Sequence, residues 1–279
     1  MGRYYLPPQV LMLVAVLAAV GALLLVLARS ASGTEQPAKE DTASAPAEVA
    51  PTASQATLVS AVEPLAEPSP APAEPAAKPG FLLVRPASAK GIVVRSRPRG
   101  RVVARLGART EFGSPTTLAV VRTRGRWLGV VTTHLPNGRL GWVDPEETRL
   151  RTSRTRVSVT VDLSTRRLVV RRGERILRRA RVAVGRPSTP TPIGRFAVTD
   201  KLSGPRYSAA YGCCILALSA HQPNLPSGWP GGDRIAVHET NDPDSIGTAA
   251  SAGCPRAGEA DMRYLMRTVP LGAPVVVRA

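Results

Sequence analysis

From Thr155 onward, apolar residues recur at every second position, and this period constrains the chain more than any other feature. Val157, Val159 and Val161 face one way, with Ser158 and Thr160 between them. A period of two fits a half-buried strand and cannot line one face of a helix. The pattern resumes after a turn at Asp162–Thr165 with Leu168 and Val170, then with Ile176, Val182 and Val184. The segment RPSTPTPIGRFAV then places three prolines where a helix would need backbone donors, and Gly194 permits a tight turn into the next strand. Further strands are expected around Cys214–Leu218, at Ile235–Val237 and at Ala273–Val277. One helix is expected, Glu259–Thr268, with Glu259 and Asp261 in its first turn and Arg263 and Arg267 in its last. The fold class read from this pattern is mainly β.

Upstream, residues 81–150 break into short apolar runs: FLLVR, GIVVRSR, RVVARLG, TTLAVVRTRG, RWLGVVT and LGWVD. Turn signals separate them at Pro98-Arg99-Gly100, Arg124-Gly125 and Pro136-Asn137-Gly138. Trp127 and Trp142 are expected to anchor the core of a small barrel, since large rings supply much apolar area in a small domain. His134, beside a turn with no acid or thiol near it in sequence, reads as a surface histidine. With RGRWLGV followed by NGRLGWVD, the segment resembles a bacterial SH3-like domain. That resemblance implies either binding of wall peptides or positioning of the neighbouring domain.

The first 80 residues are of another kind. Val10–Ala28 run for 19 residues without a charge, close to 30 Å as a helix, which matches the hydrocarbon core of a bilayer. They are read as a transmembrane anchor or an export signal, with 1–9 as a cytoplasmic N-terminus. Residues 29–80 are dominated by Ala and Pro and read as a disordered, semi-rigid linker. Within it, residues 31–79 carry Glu35, Glu40, Asp41, Glu48, Glu63, Glu67 and Glu74 against Lys39 and Lys78, a net charge of −5. The whole chain carries +17 and residues 1–30 contribute +2, so residues 80–279 hold +20. A polyanionic neighbour follows: an anionic cell-wall polymer or a membrane surface. Nucleic acid would require a cytoplasmic body, and the apolar span argues against one. The expected location is the cell envelope, either anchored or secreted.

The chemistry concentrates at IAVHETNDPDSIGTAASAGCPR. His238 ends an apolar strand, and Cys254 lies sixteen residues on. A thiol becomes a strong nucleophile once ionised, and an imidazole in hydrogen-bond reach can take its proton. Gly253 lets the backbone approach a substrate, so its N–H and that of Cys254 could face a developing oxyanion. Pro255 favours an extended Cys254, and the nearby helix N-terminus is expected to stabilise the thiolate. The adjacent Cys213 and Cys214 read as two unlinked strand thiols, because a bridge between neighbours is geometrically awkward. With His221 they offer too few ligands for a metal, and no cofactor is expected. Asp200, Asp233, Asp242 and Asp244 read as turn and solvent residues.

In these motifs residues 155–278 resemble the L,D-transpeptidase catalytic domain, a cysteine enzyme family that cross-links peptidoglycan. The resemblance is carried by TPIGRF (Thr191–Phe196), by His238 and by Ser251-Ala252-Gly253-Cys254-Pro255-Arg256. It implies Cys254 as nucleophile and His238 as general base and later proton donor, the imidazole being oriented by the backbone carbonyl of Glu239. It further implies that Ser251 and Arg256 hold the loop, with Arg256 also meeting a substrate carboxylate. The implied partners are peptidoglycan stem peptides, as donor tetrapeptide and acceptor stem, and carbapenem-type inhibitors; oligomeric state is not implied. Three departures stand out. Glu239 follows the histidine where the family commonly has glycine, Ala252 stands where histidine is common, and Pro255 where Ile or Val is common. Two other readings compete: a decayed peptidoglycan-binding scaffold, and a sortase-like cysteine transpeptidase. Sortases usually place the histidine much farther before the cysteine, and TPIGRF has no role there.

Overall fold

The computed structural model describes residues 80–229 and 232–279. The span at 10–28, the N-terminal residues before it and the linker up to residue 79 lie outside the described residues. Among the described residues no helix is long and apolar enough to cross a membrane.

The first seven strands are β1 (Phe81–Pro86), β2 (Ile92–Arg95), β3 (Val102–Leu106), β4 (Leu118–Arg124), β5 (Trp127–Val130), β6 (Gly141–Val143) and β7 (Leu150–Thr155). They form one sheet in the order β3-β2-β6-β5-β4-β1-β7, antiparallel throughout. The contiguous core under it is aliphatic: Val84, Ile92, Val94, Leu106, Leu118, Val130 and Val143. Trp127 and Trp142 are buried as expected but lie outside that cluster. His134 is exposed.

The second part contains β8 (Val157–Asp162), β9 (Arg167–Arg172), β10 (Arg175–Arg181), β11 (Val184–Gly185), β12 (Gly194–Ser203), β13 (Cys214–His221), β14 (Arg234–Glu239), β15 (Ala249–Ser251) and β16 (Arg256–Ala257). Helix α1 (Glu259–Thr268) and β17 (Pro274–Arg278) complete it. Eight of the strands form a mixed sheet in the order β10-β9-β8-β17-β12-β13-β14-β16, and β11 pairs with β15. The pairs β17–β8 and β14–β16 are parallel, and the other neighbours in the mixed sheet are antiparallel.

The alternation seen in the sequence sorts the two faces of this sheet. Val157, Val159, Val161, Leu168, Val170, Leu216, Leu218 and Val237 share one core with Met262 and Leu265 of α1. The opposite face holds a smaller cluster of Ile215, Ala217 and Ala236, against which Tyr211 and Cys254 pack. The helix therefore covers one side of the sheet, and the thiol lies on the other.

The first sheet docks on that second face through Leu83, Ala119 and Val131, which meet Ala197 of β12. Around this contact the junction is polar. The Asn137 side chain bonds both main-chain groups of His221, donating to its carbonyl at 2.7 Å and accepting from its N–H at 2.9 Å. His221 Nε2 lies 2.7 Å from the Thr133 carbonyl, and its Nδ1 lies 2.9 Å from Asp233. Asp200 corrects its sequence reading: it sits inside β12, fully buried, with Thr110 of the first sheet donating to Oδ1 at 2.5 Å. Arg234 approaches its Oδ2 to 4.0 Å and also pairs with Glu111. Both partners of Asp200 are distant in sequence, so nothing local marked it. Asp233 likewise serves the junction, whereas Asp242 and Asp244 are exposed turn residues.

Removing the Asn137 side chain would strand a half-buried N–H and C=O of His221. Asn137→Ala is expected to lower unfolding free energy by about 1–3 kcal/mol, read as a shifted urea midpoint at unchanged slope. An unshifted midpoint would show that this clamp contributes nothing to stability.

Candidate active site

Strand β14 sets the site. Ile235 and Val237 point into the helix-side core, so Arg234, Ala236 and His238 point to the other face. His238 is held in register between Ile215 of β13 and Arg256 of β16. Its Nδ1 lies 2.5 Å from the backbone carbonyl of Glu239. A carbonyl oxygen can only accept, so Nδ1 carries the hydrogen and Nε2 keeps its lone pair. Burial lowers the imidazole pKa to about 4; the Glu239 carbonyl opposes that shift and nearby Arg256 reinforces it. At neutral pH the ring is therefore an uncharged acceptor. Tyr211 packs edge-on against it, with centroids 4.8 Å apart at 81°.

The Cys254 sulfur lies over the same strand. The N–H of Ala236 donates to it at 3.4 Å, and the thiol reaches the Arg234 carbonyl at 3.9 Å. Burial pushes the thiol pKa up, against the opposing pulls of the Ala236 N–H and Arg256. The expected thiolate stabilisation by α1 fails here. The short strand β16 and Gly258 separate Cys254 from the helix, and the sulfur rests on β14 instead. Cys254 and His238 line one cavity of about 270 Å³, together with Tyr211, Gln222, Asn241 and Arg256. Among the described residues no hydrogen bond joins thiol and imidazole directly.

The loop that carries Cys254 is tied down from three sides. Ser251, fully buried, accepts the Gly253 N–H on its hydroxyl at 3.0 Å. Thr191 of the TPIGRF segment donates its hydroxyl to the Gly253 carbonyl at 2.7 Å and accepts the Gly185 N–H at 2.9 Å. The Gln222 amide donates to the carbonyls of Ala252 and Pro190 at 3.1 and 3.0 Å. Gly253 has φ +125°, and an added Cβ would lie 2.2 Å from the Gln222 amide nitrogen, so only glycine fits. The Gly253 N–H, expected to face an oxyanion, is thus engaged by Ser251. The Cys254 N–H has no partner among the described residues. Arg256 lines the cavity, and its Nε is buried without a hydrogen bond.

Glu239 does more than supply a carbonyl. Its carboxylate accepts the N–H of Cys213 and fills the space where a side chain at Gly212 would stand. Cys213 and Cys214 are joined by a disulfide, which corrects the reading of two unlinked thiols. Gly212 just before them has φ +52°, a left-handed conformation that favours glycine. Cys254 is left as the free thiol among the described residues. Gln222 and Tyr211 had escaped sequence reasoning. A buried glutamine directly after the apolar run CILALSAH was the available signal for the first, and the second had none.

A thiol, an uncharged imidazole with a bare nitrogen, an unpartnered N–H and a guanidinium around one cavity can carry out acyl transfer without a cofactor. Residues 156–277 match the family model of the L,D-transpeptidase catalytic domain. Two Bacillus proteins named L,D-transpeptidase YkuD are similar to this chain. That of B. licheniformis is 31% identical over 122 residues, 44% of this chain and 64% of its own length. That of B. subtilis strain 168 is 29% identical over 119 residues, 43% of this chain and 64% of its own. The chain thus spans less than two thirds of either relative. Among solved structures, an L,D-transpeptidase from Mycobacterium smegmatis aligns with a TM-score of 0.39 at 16% identity, covering 70% of this chain and 99% of that one.

The depressed imidazole pKa has a consequence for stability. Between about pH 4 and 6.5 the unfolded chain binds a proton on His238 that the folded chain refuses, so stability falls as pH drops through that window. The expected loss is roughly 3 kcal/mol, read from urea unfolding of the wild type and of His238→Gln at pH 4, 5, 6 and 7. A wild-type profile that matches His238→Gln would refute the buried neutral ring.

Proposed function

We propose that this protein is an exported L,D-transpeptidase that forms 3→3 peptidoglycan cross-links through an acyl-enzyme on Cys254. The observation carrying this reading is the shared cavity: Cys254 on its tied loop, and His238 with Nδ1 engaged by Glu239 and Nε2 free. The match of residues 156–277 to the family model supports the reaction class. Stem-peptide substrates and carbapenem sensitivity follow from the family resemblance.

The donor carbonyl is that of the diamino acid at position three of a tetrapeptide stem. His238 Nε2 takes the thiol proton as sulfur attacks, since burial keeps the resting thiol protonated and the ring neutral. The carbonyl oxygen becomes negative, and the Cys254 N–H is the available backbone donor to it. The intermediate collapses with cleavage of the C–N bond to D-Ala, whose amine receives the proton from His238. A side-chain amine of a second stem then attacks the thioester and loses its proton to His238. The C–S bond breaks, and the proton returns to sulfur. Arg256, which lines the cavity, meets a substrate carboxylate. The first sheet, read as SH3-like, holds the catalytic part through Asn137 and Arg234.

A carbapenem incubated with the purified chain is expected to add one covalent mass to Cys254, with none on Cys254→Ala. A tetrapeptide stem is expected to release D-Ala at a rate lowered at least about 100-fold by His238→Gln. Wall sedimentation with neither adduct nor release would instead establish the non-catalytic scaffold.

A further inference from the structure

The first sheet covers the face of the mixed sheet opposite α1 around β12, β13 and β14. Farther out, across β17, β8, β9 and β10, it lies open and carries arginines. Strand register shows which side chains share this face. One row runs Arg195, Val276, Thr160, Val169, Arg179, and the next runs Arg278, Asp162, Arg167, Arg181. Arg171 stands beside Ser158 and Ile176 on the same side. Arg178 points to the helix side instead, where it pairs with Asp261.

The charge on this face is unbalanced. Asp162 is its one carboxylate, and it is already engaged by Arg278 and by the Ser164 and Thr165 hydroxyls. Arg167, Arg179, Arg181 and Arg195 are exposed and, with Arg171, make no ion pair among the described residues. Arg181 lies directly across from Arg167. Like charges placed opposite each other across two strands destabilise a sheet, so an anion seated between them removes a cost that folding alone would have avoided.

We propose that this face is a docking surface for a linear polyol-phosphate polymer. Its phosphates would take bidentate contacts from Arg167, Arg179 and Arg181, and its carbon spacers would lie over Val169, Val276 and Ile176. The guanidinium fork matches phosphate geometry, and all of these cations are arginine. Neighbouring arginines stand about 5 Å apart across strands and about 7 Å apart along one, with aliphatic side chains between. That spacing suits charges separated by short carbon links. The proposal localises the anionic wall-polymer reading to one face and does not depend on the Cys254 chemistry.

The test is fluorescence titration of the full chain, in uncharged detergent, with a labelled glycerol-phosphate oligomer. Arg167→Gln/Arg179→Gln/Arg181→Gln is expected to weaken binding more than 10-fold and to flatten its salt dependence. Arg97→Gln/Arg101→Gln/Arg105→Gln, which removes equal charge from the first sheet, should change it less than 3-fold. The triple lysine variant of the proposed face should fall between wild type and the glutamine variant. Carbapenem labelling of Cys254 should be equal in all of these, which separates failure here from failure of the catalytic reading. Equal loss in both glutamine variants would overturn the proposal, as would full binding by the lysine variant. Tighter binding to polyglutamate or to phosphatidylglycerol vesicles would overturn it too.

Discussion

The hydrogen bond from His238 Nδ1 to the carbonyl of Glu239 fixes what the rest of the site can do. It chooses the tautomer, aims the unprotonated nitrogen away from the strand, and needs no acidic partner. Burial then keeps the ring uncharged, and Arg256 adds to that effect. Because Cys254 is also held neutral by burial, the pair is a resting thiol and a resting base. In the proposed reaction, proton transfer accompanies attack on the substrate instead of preceding it.

Two distant stretches of chain converge to hold the loop that carries Cys254. Thr191 and Gln222 reach Gly253 and Ala252 across 62 and 30 residues of sequence. TPIGRF thereby acquires a physical role: its threonine bridges Gly185 to the loop, and the prolines beside it keep that segment out of regular structure. On the other side, the Glu239 carboxylate secures the Gly212–Cys213 turn, whose neighbour Tyr211 packs on the imidazole. The glutamate that departs from the family's common glycine is thus built into the site.

Much of this was legible in the sequence because strand period and turn chemistry are local. The alternation of Val157, Val159 and Val161 gave the buried face of β8, and the charge gradient across Glu259–Thr268 gave the only α-helix among the described residues. Cys254 and His238 stood out through their flanking residues. What stayed hidden depends on distance in the chain. Asp200 reads as a loop acid until Thr110, ninety residues earlier, meets it in a buried junction. The disulfide joins sequence neighbours that local pattern reads as two separate thiols, and the engagement of the Gly253 N–H depends on Ser251 folding back beneath it. Local pattern predicts strands well and says little about how loops from different strands lock together.

The protonation state of one ring tests the account most directly. Nitrogen-15 NMR of the folded chain at pH 7 should show the His238 imidazole neutral, with its hydrogen on Nδ1 and a bare Nε2. An imidazolium at that pH, or a hydrogen found on Nε2, would contradict the account, since the nitrogen facing the cavity could then accept nothing from the thiol.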